Sequence, residues 1–174
     1  MRQLKFHEQK LLKKVDLLEW KGTSTQKEQM TTSKYFIEDR ETYVKYNIIV
    51  GKIRRLALAL AKLNDNEPTK QIITRELTNK LYTLGIINTK TLLECAKVSV
   101  GSFCKRRLST LLPRIDMVQD IKTAVTFIKD GHVKLGIDTI TDPSLIITRA
   151  MEDYITWRDQ SKVKETISAF YEDK

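Results

Sequence analysis

The sequence predicts an α+β protein. A mainly helical N-terminal part covers residues 1–104, a compact helix–helix–strand module follows over 105–157, and an acidic tail covers 158–174. Three observations lead there. Apolar residues recur at helical spacing through most of the first 130 positions. After Asp130-Gly131 the period changes: Val133, Leu135 and Ile137 alternate with Lys134, Gly136 and Asp138, the pattern of a half-buried strand. The longest uninterrupted apolar run, Leu56 to Ala61, has six residues, and a membrane helix needs about 20, so the chain must bury its apolar faces against each other.

Taken in order, His7 to Lys21 has helical period, with Leu11, Leu12, Val15 and Leu18 on one face. Gly22 stops it, and the polar stretch from Gly22 to Ser33 reads as a loop. Asp39 to Leu63 is the longest helical run, with a stripe of Tyr43, Tyr46, Ile49, Val50, Ile53, Leu56, Leu60 and Leu63. Asn64 to Pro68 is a turn, Pro68 suits the start of the next helix, and Gly85 suits its end. A short helix is expected over Thr89 to Ala96, a connector over Val98 to Gly101, and a helix over Phe103 to Leu112 that Pro113 disturbs. Asp120 opens another helix that ends at Asp130-Gly131. Beyond the first strand, Thr139 to Asp142, Leu145 to Ile147 and Tyr154 to Trp157 are short strand candidates, and Ser161 to Tyr171 is weakly helical.

Charge points to a polyanion. Lys and Arg number 31 against 22 Asp and Glu, a net charge of +9. The excess is +7 over residues 1–63, +1 over 64–104 and +4 over 105–136, whereas 137–174 is net −3. Two basic blocks with an acidic tail make nucleic acid the first candidate partner. No phosphate-cradling glycine loop, nucleophile elbow or zinc-protease helix is present, so no catalytic activity and no cofactor is expected. Cys95 and Cys104 are too far apart for paired zinc ligands and read as reduced packing residues, so no metal is expected. The opening Met1-Arg2-Gln3-Leu4-Lys5 turns charged at once, without a secretory segment, which suggests an intracellular protein. The adjacent acids Glu152 and Asp153 read as solvated surface, and Tyr43 with Tyr46 as core. Trp20 and Trp157 read as packing or interface residues rather than base-stacking ones.

The basic constellation of the second block is more specific. Lys105, Arg106 and Arg107 open one short helix, Arg114 follows, Lys122 and Lys129 share a face of the next, and His132 and Lys134 come after the turn. Two short helices meeting near Gly131 place these eight side chains on one surface, where arginine forks bind phosphate or stack on bases. Lys10, Lys13, Lys14, Arg54 and Arg55 are candidates for additional basic surface.

The stretch from Lys105 to Trp157 resembles the RNA-binding domain of the ribosomal protein S-four superfamily, through Arg106-Arg107-Leu108, Phe127 to Val133 and Ile140-Thr141-Asp142-Pro143-Ser144. The resemblance implies two helices on a small twisted sheet, with RNA against the helical face. Leu4 to Lys21 and Met151 to Trp157 resemble the opening and the C-terminal motif of the Imp-three type family of the U-three small nucleolar ribonucleoprotein. That resemblance implies a nucleolar, non-catalytic RNA-binding component of the small-subunit processome. It also implies that the protein supports pairing of the U-three type small nucleolar RNA with precursor rRNA in 18S maturation. The implied partners are those two RNAs, an M-phase-phosphoprotein-ten type subunit and other processome proteins, with no membrane. The alternatives are a structural small-subunit ribosomal protein of the S-four family, against which the acidic tail speaks, and an RNA-modifying enzyme with an accessory S-four domain.

Overall fold

The computed structural model of the 174-residue chain describes residues 2–14 and 25–172. The first helix, α1 (Phe6–Lys14), carries Leu11 and Leu12 exposed. The remainder of its expected stripe, with Trp20 and Lys21, lies outside the described residues. Next come α2 (Thr25–Tyr35), α3 (Arg40–Ala61), α4 (Pro68–Thr83), α5 (Leu92–Lys97) and α6 (Val100–Cys104). Then follow α7 (Leu108–Arg114), α8 (Ile121–Lys129), β1 (Val133–Leu135), β2 (Asp138–Thr139), α9 (Arg149–Glu152), β3 (Ile155–Trp157) and α10 (Lys162–Glu172).

α3 is the axis of the N-terminal core. Its buried residues are Tyr46, Val50, Ile53, Ala57 and Leu60, one side of a 3.6-residue repeat. Ile49, Leu56 and Leu63, expected in that stripe, sit one position off its centre and are exposed. Leu81, Ile87, Cys95, Val98, Phe103 and Cys104 close the core from α4 to α6, and the Tyr46 ring stacks on Phe103 at 5.7 Å. Both cysteines are free thiols in this interior. Burial pushes the Cys104 thiol up to about 11, so it is neutral at physiological pH.

The second core joins Leu108, Leu111 and Leu112 of α7, Ala124 and Ile128 of α8, and Val133, Ile147 and Ile155 around the sheet. The sheet has the order β2-β1-β3, antiparallel throughout, with Lys134 opposite Thr139 on one side and Thr156 on the other. The module is therefore two helices on a small sheet, and the α+β expectation holds.

Four differences from the sequence reading have physical causes. The expected loop over 22–33 is helical from Thr25. Thr31 and Thr32 bond back to the Lys27 and Glu28 carbonyls, Glu28 holds Arg40 at 2.9 Å, and Tyr35 and Ile37 are buried at its end. Tertiary anchoring replaces the missing apolar stripe. The expected connector over 98–101 already starts α6, whose Ser99 and Ser102 form a capping box. The single helix expected over 103–112 is two, α6 and α7, because Arg107 is extended (ψ 144) and caps the second. Pro113 falls in the last turn of α7 and ends it only one residue later. Finally, Ile146 makes one bridge to Arg107 rather than a strand, and α9 was not foreseen.

Candidate nucleic-acid interface

The hinge between α6 and α7 carries Lys105, Arg106 and Arg107, and the backbone there turns two of the three inward. Arg106 is 4% exposed. Its Nε and Nη2 donate to the Ile147 carbonyl at 3.1 and 2.8 Å, and its Nη1 donates to Glu152 at 2.9 Å. The expectation that Arg106 faces a ligand, and that Glu152 is plain solvated surface, is corrected: together they form a half-buried ion pair. Its carboxylate comes from α9, 46 residues away in sequence.

Gly85 shows how tightly this seam is closed. It ends α4 with φ +73, accepted without strain only by glycine, and Ile86 N–H bonds back to the Leu81 carbonyl. A Cβ there would lie 2.9 Å from the Arg106 Nε and Cζ. Gly85→Ala is therefore expected to destabilise the protein by about 1–3 kcal/mol, through backbone strain and displacement of the guanidinium. Urea unfolding of the purified variant measures it. Arg149 strengthens the same seam from α9, donating to the Ile87 carbonyl at 2.9 Å and lying 4.2 Å from the Tyr82 ring centre.

Arg107 is also corrected to an interior position, 3% exposed. Its Nη2 donates to the Ser144 hydroxyl at 3.1 Å, and its Nε and Nη1 have no acceptor among the described residues.

Three more of the eight candidates are engaged within the fold. Lys129 donates to both Glu38 oxygens at 2.8 and 2.6 Å. Lys134 pairs with Asp159 at 2.6 Å, as does Lys164. Hydrogen bonds and charge from these two lysines hold the Asp159 carboxyl down to about 2. His132 is half-buried, with Nδ1 2.9 Å from the Ser161 hydroxyl and its ring edge-on to Phe127. Trp157 packs edge-on against the same Phe127 at 5.8 Å, as a packing residue.

Lys105, Arg114 and Lys122 remain exposed and have no carboxylate partner among the described residues. Lys105 and Arg114 flank a groove of about 580 Å³, into which Asn88, Ser102 and Thr110 also project. Two exposed cations beside hydroxyl and amide groups suit a phosphodiester chain, which takes charge and hydrogen bonds together. Asn88, Ser102 and Thr110 carry no charge and come from the α4–α5 connection, α6 and α7, so nothing in the sequence marks them as neighbours. Of the additional candidates, Lys10 is exposed on α1, and the side chains of Lys13 and Lys14 lie outside the described residues. Arg54 and Arg55 are exposed on α3, although Arg54 Nε donates to the Val98 carbonyl at 2.7 Å and Arg55 Nε to Gly51. Among the described residues, no three His, Cys, Asp or Glu side chains stand together as a metal site, and no helix is long and apolar enough to cross a membrane.

Comparison with known proteins matches residues 3–100 to the ribosomal protein S4/S9 N-terminal domain. That match covers the helical part and stops short of the module at 105–157. The U3 small nucleolar ribonucleoprotein protein IMP3 of Saccharomyces cerevisiae is 45% identical over 169 residues, spanning 96% of this chain and 92% of that protein. The protein of the same name in Homo sapiens is 40% identical, spanning 100% of this chain and 96% of its own. Small ribosomal subunit protein uS4 of Sulfurisphaera tokodaii is 29% identical over 150 residues, or 84% of this chain. An alignment of that length runs through much of the module as well.

Proposed function

This chain belongs to the family of U3 small nucleolar ribonucleoprotein protein IMP3, and on that premise we propose that it is a non-catalytic RNA-binding component of the small-subunit processome. In this reading it works in the nucleolus. It supports pairing of the U3-type small nucleolar RNA with precursor rRNA during 18S maturation, beside an M-phase-phosphoprotein-ten type subunit. The observation that carries the proposal is similarity at 40–45% identity along nearly the whole chain, N-terminal segment and C-terminal motif included. The physical role follows from charge. Two RNA strands repel, and a protein of net charge +9 lowers that repulsion by releasing counterions as it binds phosphates. Lys105, Arg114 and Lys122 supply the contacts, with Lys10, Arg54 and Arg55 extending them. Arg106, Arg107, Lys129, Lys134 and His132 act instead by holding the scaffold in shape.

The second reading, a structural ribosomal protein, draws on the uS4 similarity. Affinity purification of the full chain from cells, followed by sequencing of bound RNA and sedimentation, separates the two. Small nucleolar RNA with precursor leader, in particles distinct from mature subunits, is expected. Mature 18S rRNA alone, sedimenting with finished small subunits, favours the ribosomal reading.

A further inference from the structure

We infer that the outward face of α3 docks an acidic amphipathic helix of a partner protein. This goes beyond the RNA-binding reading above and stands without it.

α3 carries two rows of residues at alternating steps of four and three. One row, Tyr46, Val50, Ile53, Ala57 and Leu60, fills the N-terminal core. The other, on the opposite side of the helix, is Val44, Ile48, Gly51, Arg55, Leu58 and Lys62. Such steps average 3.5 residues, the spacing at which one helix takes up the side chains of another. Val44, Ile48 and Leu58 are 44%, 51% and 58% exposed. Single apolar residues on a surface are ordinary, but three in one row along a helix mark an interaction face.

Gly51 is an independent sign of a partner. Glycine is the poorest helix former after proline, and this one stands in the middle of the longest helix. A Cβ there would meet nothing within 4 Å, so the chain's own packing does not call for glycine. Between Ile48 and Leu58, bare backbone lets a second helix approach closely.

Charge then selects the occupant. α3 holds five Lys and Arg against one acid, Glu41. Arg55 and Lys62 stand in the row itself, and Lys45 and Lys52 run along one edge of it, all four exposed. Lys45 meets Glu41 at 3.8 Å, and Lys52, Arg55 and Lys62 have no carboxylate partner among the described residues. Charged residues in and beside such a row choose the partner by its opposite sign. A helix with apolar residues in register and acids at its edges satisfies both. A second copy would set α3 against an equally basic α3. The chain's own α1, with Lys10, Lys13 and Lys14, is basic too. An RNA phosphate would meet the cations and leave Val44, Ile48 and Leu58 in water. In this arrangement Arg55 serves the helix rather than RNA.

Site-specific photo-crosslinking identifies the occupant. The full chain is produced in cells with Leu58→benzoylphenylalanine or, as a control, Ile137→benzoylphenylalanine in the β1–β2 turn, where Ile137 is 98% exposed. After irradiation the attached peptide is sequenced by mass spectrometry. A segment of another protein, net negative and with apolar residues every three or four positions, is expected from position 58 and not from 137. Attachment to RNA alone, to a second copy, to a segment without that pattern, or to nothing overturns the inference. The segment, made as a peptide, is then titrated into the purified full chain by calorimetry. Ile48→Glu is expected to weaken it tenfold or more, and Ile48→Lys less, because lysine keeps the attractive sign. Gly51→Leu should also weaken it tenfold or more while raising the thermal midpoint by about 2–3 °C, since leucine is the better helix former. A structural fault would move affinity and midpoint down together, so opposite directions assign the effect to docking. Unchanged affinity in Ile48→Glu and Gly51→Leu overturns the docking face. Filter binding of single-stranded RNA to the same variants tests the RNA-binding reading separately.

Discussion

Arg106→Ala is expected to destabilise the protein by about 3 kcal/mol, the lower end of the range for removing one partner of a buried ion pair, because this pair is half-buried. The substitution deletes a side chain whose three bonds tie the α6–α7 hinge to the Ile147 carbonyl and to Glu152. The Glu152 carboxylate, one-quarter exposed, then loses its counter-charge, and the Ile147 carbonyl loses both donors. A void also opens against Gly85. Chemical denaturation followed by circular dichroism gives the value. A loss below about 1 kcal/mol, the scale of a surface pair, would mean that Arg106 is a solvated cation after all. Glu152→Gln is expected to cost less, because its amide still accepts from the guanidinium and no buried cavity forms.

The second large effect is on RNA. Lys105 and Arg114 flank one groove and have no competing carboxylate among the described residues. Changing both to alanine should leave the thermal midpoint near that of the parent, because both side chains are exposed. Affinity for single-stranded RNA should fall tenfold or more at about 0.1 M salt, and the slope of log affinity against log salt should drop by roughly 1.4, or 0.7 for each lost phosphate contact. Filter binding across a salt series reads both quantities. An unchanged slope would remove these residues from the interface.

Much of the architecture was legible because it is local. The α3 boundaries follow from the apolar period between Asp39 and the Asn64–Pro68 turn. Pro68 and Gly85 frame α4 for reasons of backbone geometry alone. Val133 and Leu135 announce β1 by alternation. What was not legible depends on partners far away in sequence. α2 is mostly polar, with Met30 exposed, and stands because Glu28 meets Arg40 and Tyr35 is buried. The inward turn of Arg106 needs a carbonyl 41 residues on and a carboxylate 46 residues on. In sequence, Lys105-Arg106-Arg107 is one basic cluster, and lysine and arginine are rarely buried without a partner, so exposure was the natural expectation. The extended backbone at Arg107 splits the cluster into one free cation and two interior ones. The same split explains why a count of positive charge marks the cluster without telling which of its side chains are exposed.

The proposed function has the protein bring RNA strands together through its exposed cations and without catalysis, and an annealing assay measures that. Two labelled strands, one from the small nucleolar RNA and one from precursor rRNA, are mixed with the full chain in a chelating buffer free of ATP. Faster duplex formation is expected, lost at high salt and in the Lys105→Ala, Arg114→Ala double variant. No acceleration, or acceleration that appears only with ATP, would contradict it.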